Sequence, residues 1–129
     1  MGNTQYNKDG ELSEKAIHKA IIQWVRIHPY FKEDNRWKLV MHFANEGKRT
    51  PQYGKLLKEL GLREGVHDLF IATPRHGYGG FWLEIKSKNG YMSKAQKEFS
   101  IDMRKQNYFV RTAWSIEEGI KFISWYFGI

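Results

Sequence analysis

Between Gly65 and Lys88 the sequence reads GVHDLFIATPRHGYGGFWLEIKSK. Two short apolar runs, Leu69-Phe70-Ile71 and Phe81-Trp82-Leu83, flank a loop rich in Gly and Pro from Thr73 to Gly80. This pattern predicts two β-strands joined as a hairpin. Side chains alternate along a strand, so Phe81, Leu83 and Ile85 point one way and Trp82, Glu84 and Lys86 the other. Glu84 and Lys86 then stand about 6.5–7 Å apart on one face. Pairing of the hairpin brings Asp68, at the mouth of the first strand, close to Glu84. Two carboxylates that approach in a partly buried place need a proton, a cation or both. Lys86 supplies one positive charge. A divalent metal would supply the rest, because two carboxylates and a backbone carbonyl suit Mg²⁺ while it keeps several waters. A plainer account is open too: Asp68 caps a turn after Gly65, and Glu84 and Lys86 form an exposed pair worth little.

The rest of the chain supplies elements to surround this hairpin. Residues 1 to about 11 are expected to be flexible or loosely attached, with a turn at Asp9-Gly10. Ser13 is a good N-cap for a helix running to about His28, before Pro29. Its apolar positions Ile17, Ile21, Trp24 and Val25 share one face. Glu14 and His18 project from that same face, so Glu14 either seeks a partner or simply favours the first turn of the helix dipole. His18 reads as a packing or supporting residue. Tyr30 to Arg36 reads as a linker and Trp37 to Phe43 as a strand. Asn45 to Arg49 is a basic loop, suited to a phosphate or to water alone. Thr50-Pro51 opens a second helix whose buried side is Leu56, Leu57 and Leu60, and Gly61 ends it.

Past the hairpin, Lys88-Asn89-Gly90 is a tight turn. Ser93-Lys94-Ala95-Gln96 matches a capping box and opens a third helix. Ala95, Phe99 and Met103 form its buried stripe; Lys94, Lys97, Arg104 and Lys105 form a basic outer face. Tyr108 to Ala113 reads as a last strand. Ser115-Ile116-Glu117-Glu118 is a second capping box, opening a final helix with Ile116, Ile120, Ile123 and Phe127 on one face. Phe122, Trp125 and Tyr126 add apolar area on neighbouring faces, a surplus that suggests an interface. The order is helix, strand, helix, hairpin, helix, strand, helix. That is an α/β domain, a central mixed sheet flanked by helices.

Asp68, followed sixteen positions later by Glu84-Ile85-Lys86, resembles the PD-(D/E)XK nuclease pattern. The chain more specifically resembles the VRR-NUC family of that superfamily, in its stand-alone phage and bacterial type. The features that carry the likeness are Glu14 on the first helix, the Asn45–Arg49 stretch, Gly61 and Gly65 ahead of Asp68, and Gln96 after the Glu84-Ile85-Lys86 strand. The likeness spans about Ser13 to Ile120. One departure is His67, where the superfamily name has Pro. The resemblance implies a restriction-endonuclease-like core. It implies that Asp68, Glu84 and the Ile85 carbonyl hold Mg²⁺ or Mn²⁺, that Glu14 binds the metal or a water on it, and that Lys86 orients or deprotonates the attacking water. Gln96 would contact the metal site or only cap its helix. The implied substrate is branched or flapped DNA, such as a four-way (Holliday) junction, with a 5′-phosphate product and a homodimer as the working unit.

At 129 residues, a single domain is expected. A formal charge of +7 favours a polyanionic partner, and acids gathered in one motif within a basic chain suit a metal-dependent nuclease. There is no Cys, so disulfides and thiolate metal sites are excluded. The start lacks a signal-peptide core, and no apolar stretch is long enough to span a membrane, so a bacterial or phage-infected cytoplasm is the expected location. The rival functions are a non-catalytic DNA-binding module, against which Asp68, Glu84 and Lys86 argue, and a sequence-specific restriction-type endonuclease, against which the lack of an added recognition domain argues.

Overall fold

The computed structural model describes residues 5–43 and 49–129. Among them the elements run α1 (Glu14–Ile27), α2 (Pro29–Lys32), a 3-10 segment (Glu33–Leu39), β1 (Val40–His42), α3 (Pro51–Glu59), β2 (Leu69–Ile71), β3 (Phe81–Ile85), α4 (Lys94–Lys105), β4 (Phe109–Ala113) and α5 (Ile116–Phe127). The strands lie side by side in chain order, β1-β2-β3-β4. The first two pairings are antiparallel and the third is parallel. A parallel neighbour needs a crossover, and α4 provides it. The expected mixed sheet with flanking helices is therefore what forms.

The alternation of β3 decides the layers. Phe81, Leu83 and Ile85 are fully buried with Leu69 and Ile71 of β2. They pack in one cluster with Ile17, Ile21 and Val25 of α1 and Ile123, Tyr126 and Phe127 of α5. Trp82 meets Phe70 of β2, with ring centroids 4.5 Å apart, and Phe99 of α4 at 4.9 Å. So α1 and α5 cover one face of the sheet and α4 the other. Ser13 caps α1, its hydroxyl accepting from the Ala16 amide at 3.1 Å, which starts the helix at Glu14.

Several local expectations are corrected. Tyr30 to Arg36 is not a plain linker. Pro29 opens the short α2, the His28 Nδ1 accepts from the Tyr30 amide, and Phe31 is buried among Trp24 and Phe127. The strand expected from Trp37 shrinks to Val40–His42, because the Val40 amide donates to the Trp37 carbonyl and keeps the preceding residues helical. Along α3, Leu56 and Leu60 are 47% and 73% exposed rather than buried, since nothing packs over that side among the described residues. On α5, Tyr126 and Phe127 belong to the core, which leaves Trp125 as the exposed aromatic. The Ser115 hydroxyl caps Glu118 as expected, but the Glu118 carboxylate accepts from the Trp114 amide instead of closing the box.

Gly61 and Gly65 both have positive φ, +100° and +83°. At Gly61 the chain leaves α3 through paired bonds, Gly61 amide to Lys58 carbonyl and Leu62 amide to Leu57 carbonyl. A Cβ there would meet nothing within 4 Å, whereas at Gly65 it would lie 2.4 Å from the backbone of Ala95. Gly65 thus lets the approach to Asp68 run against the first turn of α4. Gly61→Ala is expected to cost about 1–2 kcal/mol through strain alone. Gly65→Ala adds a backbone clash and is expected to cost at least ~3 kcal/mol. Urea unfolding of the two variants checks the ranking; equal losses would remove the close approach as the reason for Gly65.

Candidate metal and catalytic site

The pairing of β2 with β3 places Leu69 opposite Leu83, so Asp68 and Glu84 lie at adjoining positions one step beyond. Asp68 Oδ2 accepts from the Ile85 amide at 2.8 Å, which fastens its carboxylate to the end of β3. Glu84 is 2% exposed. Among the described residues its buried Oε2 has no hydrogen-bond partner. Burial first, and then the hydrogen bond and charge of Asp68, push the Glu84 carboxyl up from its ordinary 4.5 to about 10, with Lys86 pulling the other way. This is the crowded acid pair expected from the spacing.

Lys86 is 9% exposed and lies next along the same face. Its Nζ stands 3.7 Å from Glu14 Oε1. Glu14 therefore does find a partner across the fold. The packing of α1 against α5 helps set its position: Gly119 of α5 admits Ile21 so closely that a Cβ there would lie 2.4 Å from Ile21 Cδ1. Glu14, Asp68 and Ile85 line one cleft with His18 and His42. Gln96 does not line that cleft. Its carboxamide oxygen accepts from the Ser93 amide at 2.9 Å and its own amide donates to Ser93 Oγ at 3.1 Å, the reciprocal capping box. In this structure Gln96 closes the capping box at the start of α4. Asn45–Lys48 lie outside the described residues, and Arg49 at their edge is half-buried.

Two further residues belong to the setting. His42 Nδ1 donates to the Asp68 backbone carbonyl at 2.8 Å, and its ring meets that of His18 edge-on at 4.6 Å. Sequence spacing gave no hint of His42, because only the register of β1 on β2 sets it opposite Leu69. His67, the residue in place of Pro, is fully buried; its Nε2 lies 2.7 Å from Ser100 Oγ of α4, and its ring meets Phe99 at 4.8 Å. Burial lowers its pKa to about 4, against an opposing pull from Asp68. A neutral imidazole thus ties the loop that carries Asp68 to α4.

Among the described residues, no three His, Asp or Glu side chains are placed to hold an ion together. The fitting donor set is two carboxylates with the Ile85 carbonyl. These are hard oxygen donors suited to Mg²⁺ or Mn²⁺. The unpartnered buried oxygen of Glu84 is the group that such an ion would satisfy.

A solved structure described as a VRR_NUC domain protein is similar to this chain, with a TM-score of 0.79 and 26% identity over 92% of this chain and 90% of that one. No family model matches, and no curated protein does. No helix among the described residues is long and apolar enough to cross a membrane.

Two of the shifted groups, Glu84 and His67, fix how stability without metal varies between acid and mildly alkaline pH. Folded Glu84 keeps a proton that the unfolded chain releases, so its contribution is full below about 4.5 and is lost as pH rises toward about 10. Folded His67 stays neutral, so its contribution is present above about 6.5 and is lost as pH falls toward about 4. From pH 6.5 to 9.5 the His67 contribution is constant and the Glu84 contribution is the one that changes. The melting temperature in EDTA is expected to fall from pH 6.5 to 9.5, with Glu84→Gln flattening the fall and Mg²⁺ raising the wild-type value most at the alkaline end. A wild-type profile as flat as the variant's would remove the buried proton.

Proposed function

We propose that this chain, a VRR-NUC domain in its fold, is a metal-dependent endonuclease that hydrolyses phosphodiester bonds in branched DNA. The observation that carries the reading is the Asp68–Glu84 pair, with an unsatisfied buried oxygen on Glu84 and the Lys86 ammonium beside it. Mg²⁺ or Mn²⁺ held by Asp68, Glu84 and the Ile85 carbonyl would polarise the phosphoryl group and lower the pKa of the attacking water. Lys86, steered by Glu14, orients that water and offsets charge as it develops on the phosphate. Asp68 is held for its task by the Ile85 amide and, through its carbonyl, by His42. The exposed lysines and arginines of α4 and the chain's net charge of +7 suit a phosphate backbone.

Incubation of the purified protein with single-stranded, duplex, flap and four-way DNA, each with Mg²⁺, Mn²⁺ or EDTA, tests the reading directly. Cleavage of branched substrates with either cation and none in EDTA is expected. No cleavage of any substrate would leave a DNA-binding fold without catalysis. Asp68→Ala and Glu84→Ala are expected to abolish cleavage and to leave DNA binding largely intact, since removing acids removes no phosphate contact. Turnover within about tenfold of wild type in both, only ~1.4 kcal/mol of barrier, would defeat the metal assignment. Lys86→Ala is expected to slow the chemical step more than it weakens binding. A variant impaired in binding alone would make Lys86 a simple phosphate contact.

A homodimer would set two such sites in opposite sense, matching the symmetry of a four-way junction. Because α5 buries most of its aromatics, the better contact surface is the exposed apolar side of α3, with Tyr53, Leu56 and Leu60. Light scattering at micromolar concentration is expected to give twice the chain mass, and Leu56→Glu with Leu60→Glu to give the monomer. A wild-type monomer that cuts junctions efficiently would end the pairing argument and leave the metal site standing.

A further inference from the structure

The acid cleft does not end at Glu14. His18, Lys19 and His42 line it, and the same three residues line a second cleft of about 640 Å³ that continues along α1. The far end of this cleft is formed by Arg26, Trp37 and Lys38, where α1 faces the 3-10 segment. From Glu14 to Arg26 the helix rises ~18 Å. Ile22 and Val25 contribute apolar surface, Gln23 is polar, and among the described residues no Asp or Glu lines this second cleft. Lys19, Arg26 and Lys38 are exposed, and among the described residues none of the three pairs with a carboxylate. Trp37 is half-buried, with Arg26 and Lys38 at 5.9 and 5.8 Å from its ring.

We infer that a single strand of DNA leaving the acid site runs along this groove, its phosphates on Lys19, Arg26 and Lys38 and a base against Trp37. The identity of the strand rests on the nuclease reading. The chemistry is that of a single-strand track: cations that follow a backbone, and an aromatic ring that accepts any base by stacking. The length suits roughly three to five nucleotides, with phosphates at ~3.4 Å of rise in a stacked strand and wider when it is extended. Continuity through His18 and His42 makes one end of the track the scissile position. A duplex flank offers its bases only to its own partner strand, so a frayed or unpaired arm is what Trp37 would accept. The groove therefore favours a substrate with an unpaired segment next to the cleaved bond.

The test is equilibrium binding of the full chain to a fluorescent single-stranded oligonucleotide of mixed sequence, in EDTA, across a series of salt concentrations. Lys19→Ala, Arg26→Ala and Lys38→Ala are combined in one variant. A charge-matched control combines Lys8→Ala, Lys55→Ala and Lys121→Ala on other surfaces. Each phosphate contact on a single strand adds about 0.7 to the slope of log K against log salt, so the groove variant is expected to lose about 2 units of slope and the control much less. Trp37→Leu is expected to weaken binding by about tenfold with the slope unchanged, because stacking carries no counterion release. Equal slopes for the groove variant and the control would overturn the inference, whatever Trp37→Leu does to folding. Binding is read without catalysis, so the two ideas fail separately. A wild-type protein that cuts DNA while the groove variant keeps its slope loses the track and keeps the nuclease. A protein that never cuts, yet loses slope in the groove variant, does the reverse.

Discussion

The constraint on which the site depends is the crowding of Asp68 and Glu84 at one end of the hairpin. Two carboxylates held together out of water cannot both be charged without a compensating cation. The chain keeps them there by backbone means. The antiparallel register of β2 on β3 sets the two positions side by side, and the Ile85 amide fastens one of the acids. Among the described residues nothing comparable satisfies Oε2 of Glu84. The interior stays stable because Phe81, Leu83 and Ile85, on the opposite face of the same strand, anchor the main core. One strand thus carries both the packing that supports the fold and the charges that oppose it, separated only by the alternation of its side chains.

Support for the acids comes from both sides of the sheet. On one side α4 meets the loop before Asp68 twice, by backbone contact at Gly65 and by the His67–Ser100 bond. An imidazole in that place can bond to a hydroxyl on α4, which a proline ring could not do. On the other side α1 carries Glu14 to Lys86, and its outward face continues past the acids as a basic wall. The same helix therefore reaches the lysine of the proposed site and lines the groove proposed for DNA phosphates. Its buried stripe fixes the orientation that makes both possible.

How legible each part was depends on how local its cause is. The cap at Ser13, the box at Ser93 and the stop at Gly61 rest on residues within a few positions of one another, the hairpin on two runs joined by one loop, and all are present. The leucines of α3 follow a helical stripe, but a stripe says only which side is apolar and not whether anything covers it. Trp37 to Phe43 alternates like a strand, yet the turn that Asp34 and Asn35 make with positive φ holds its first residues in a 3-10 segment. Gln96 matched both a capping residue and a site residue. The capping bond is local and always within reach, and it is the one that forms.

The hairpin, the face on which Glu84 and Lys86 lie, the helices and most of their ends, and a basic balance suited to a polyanion can all be read from the order of residues alone. These follow from side-chain period, capping chemistry and composition, each of which acts over a few residues or over the whole chain at once. That Glu14 meets Lys86, that His42 holds the Asp68 carbonyl, that His67 reaches Ser100, and that Lys19, Arg26, Trp37 and Lys38 share one groove emerges once the elements pack together. The three bonded pairs are separated by 26 to 72 positions of chain, and the groove joins α1 to a segment at least 11 positions further on. Their contact depends on strand order, register and the angle at which each helix lies on the sheet, which the packing of the core sets and no local pattern encodes.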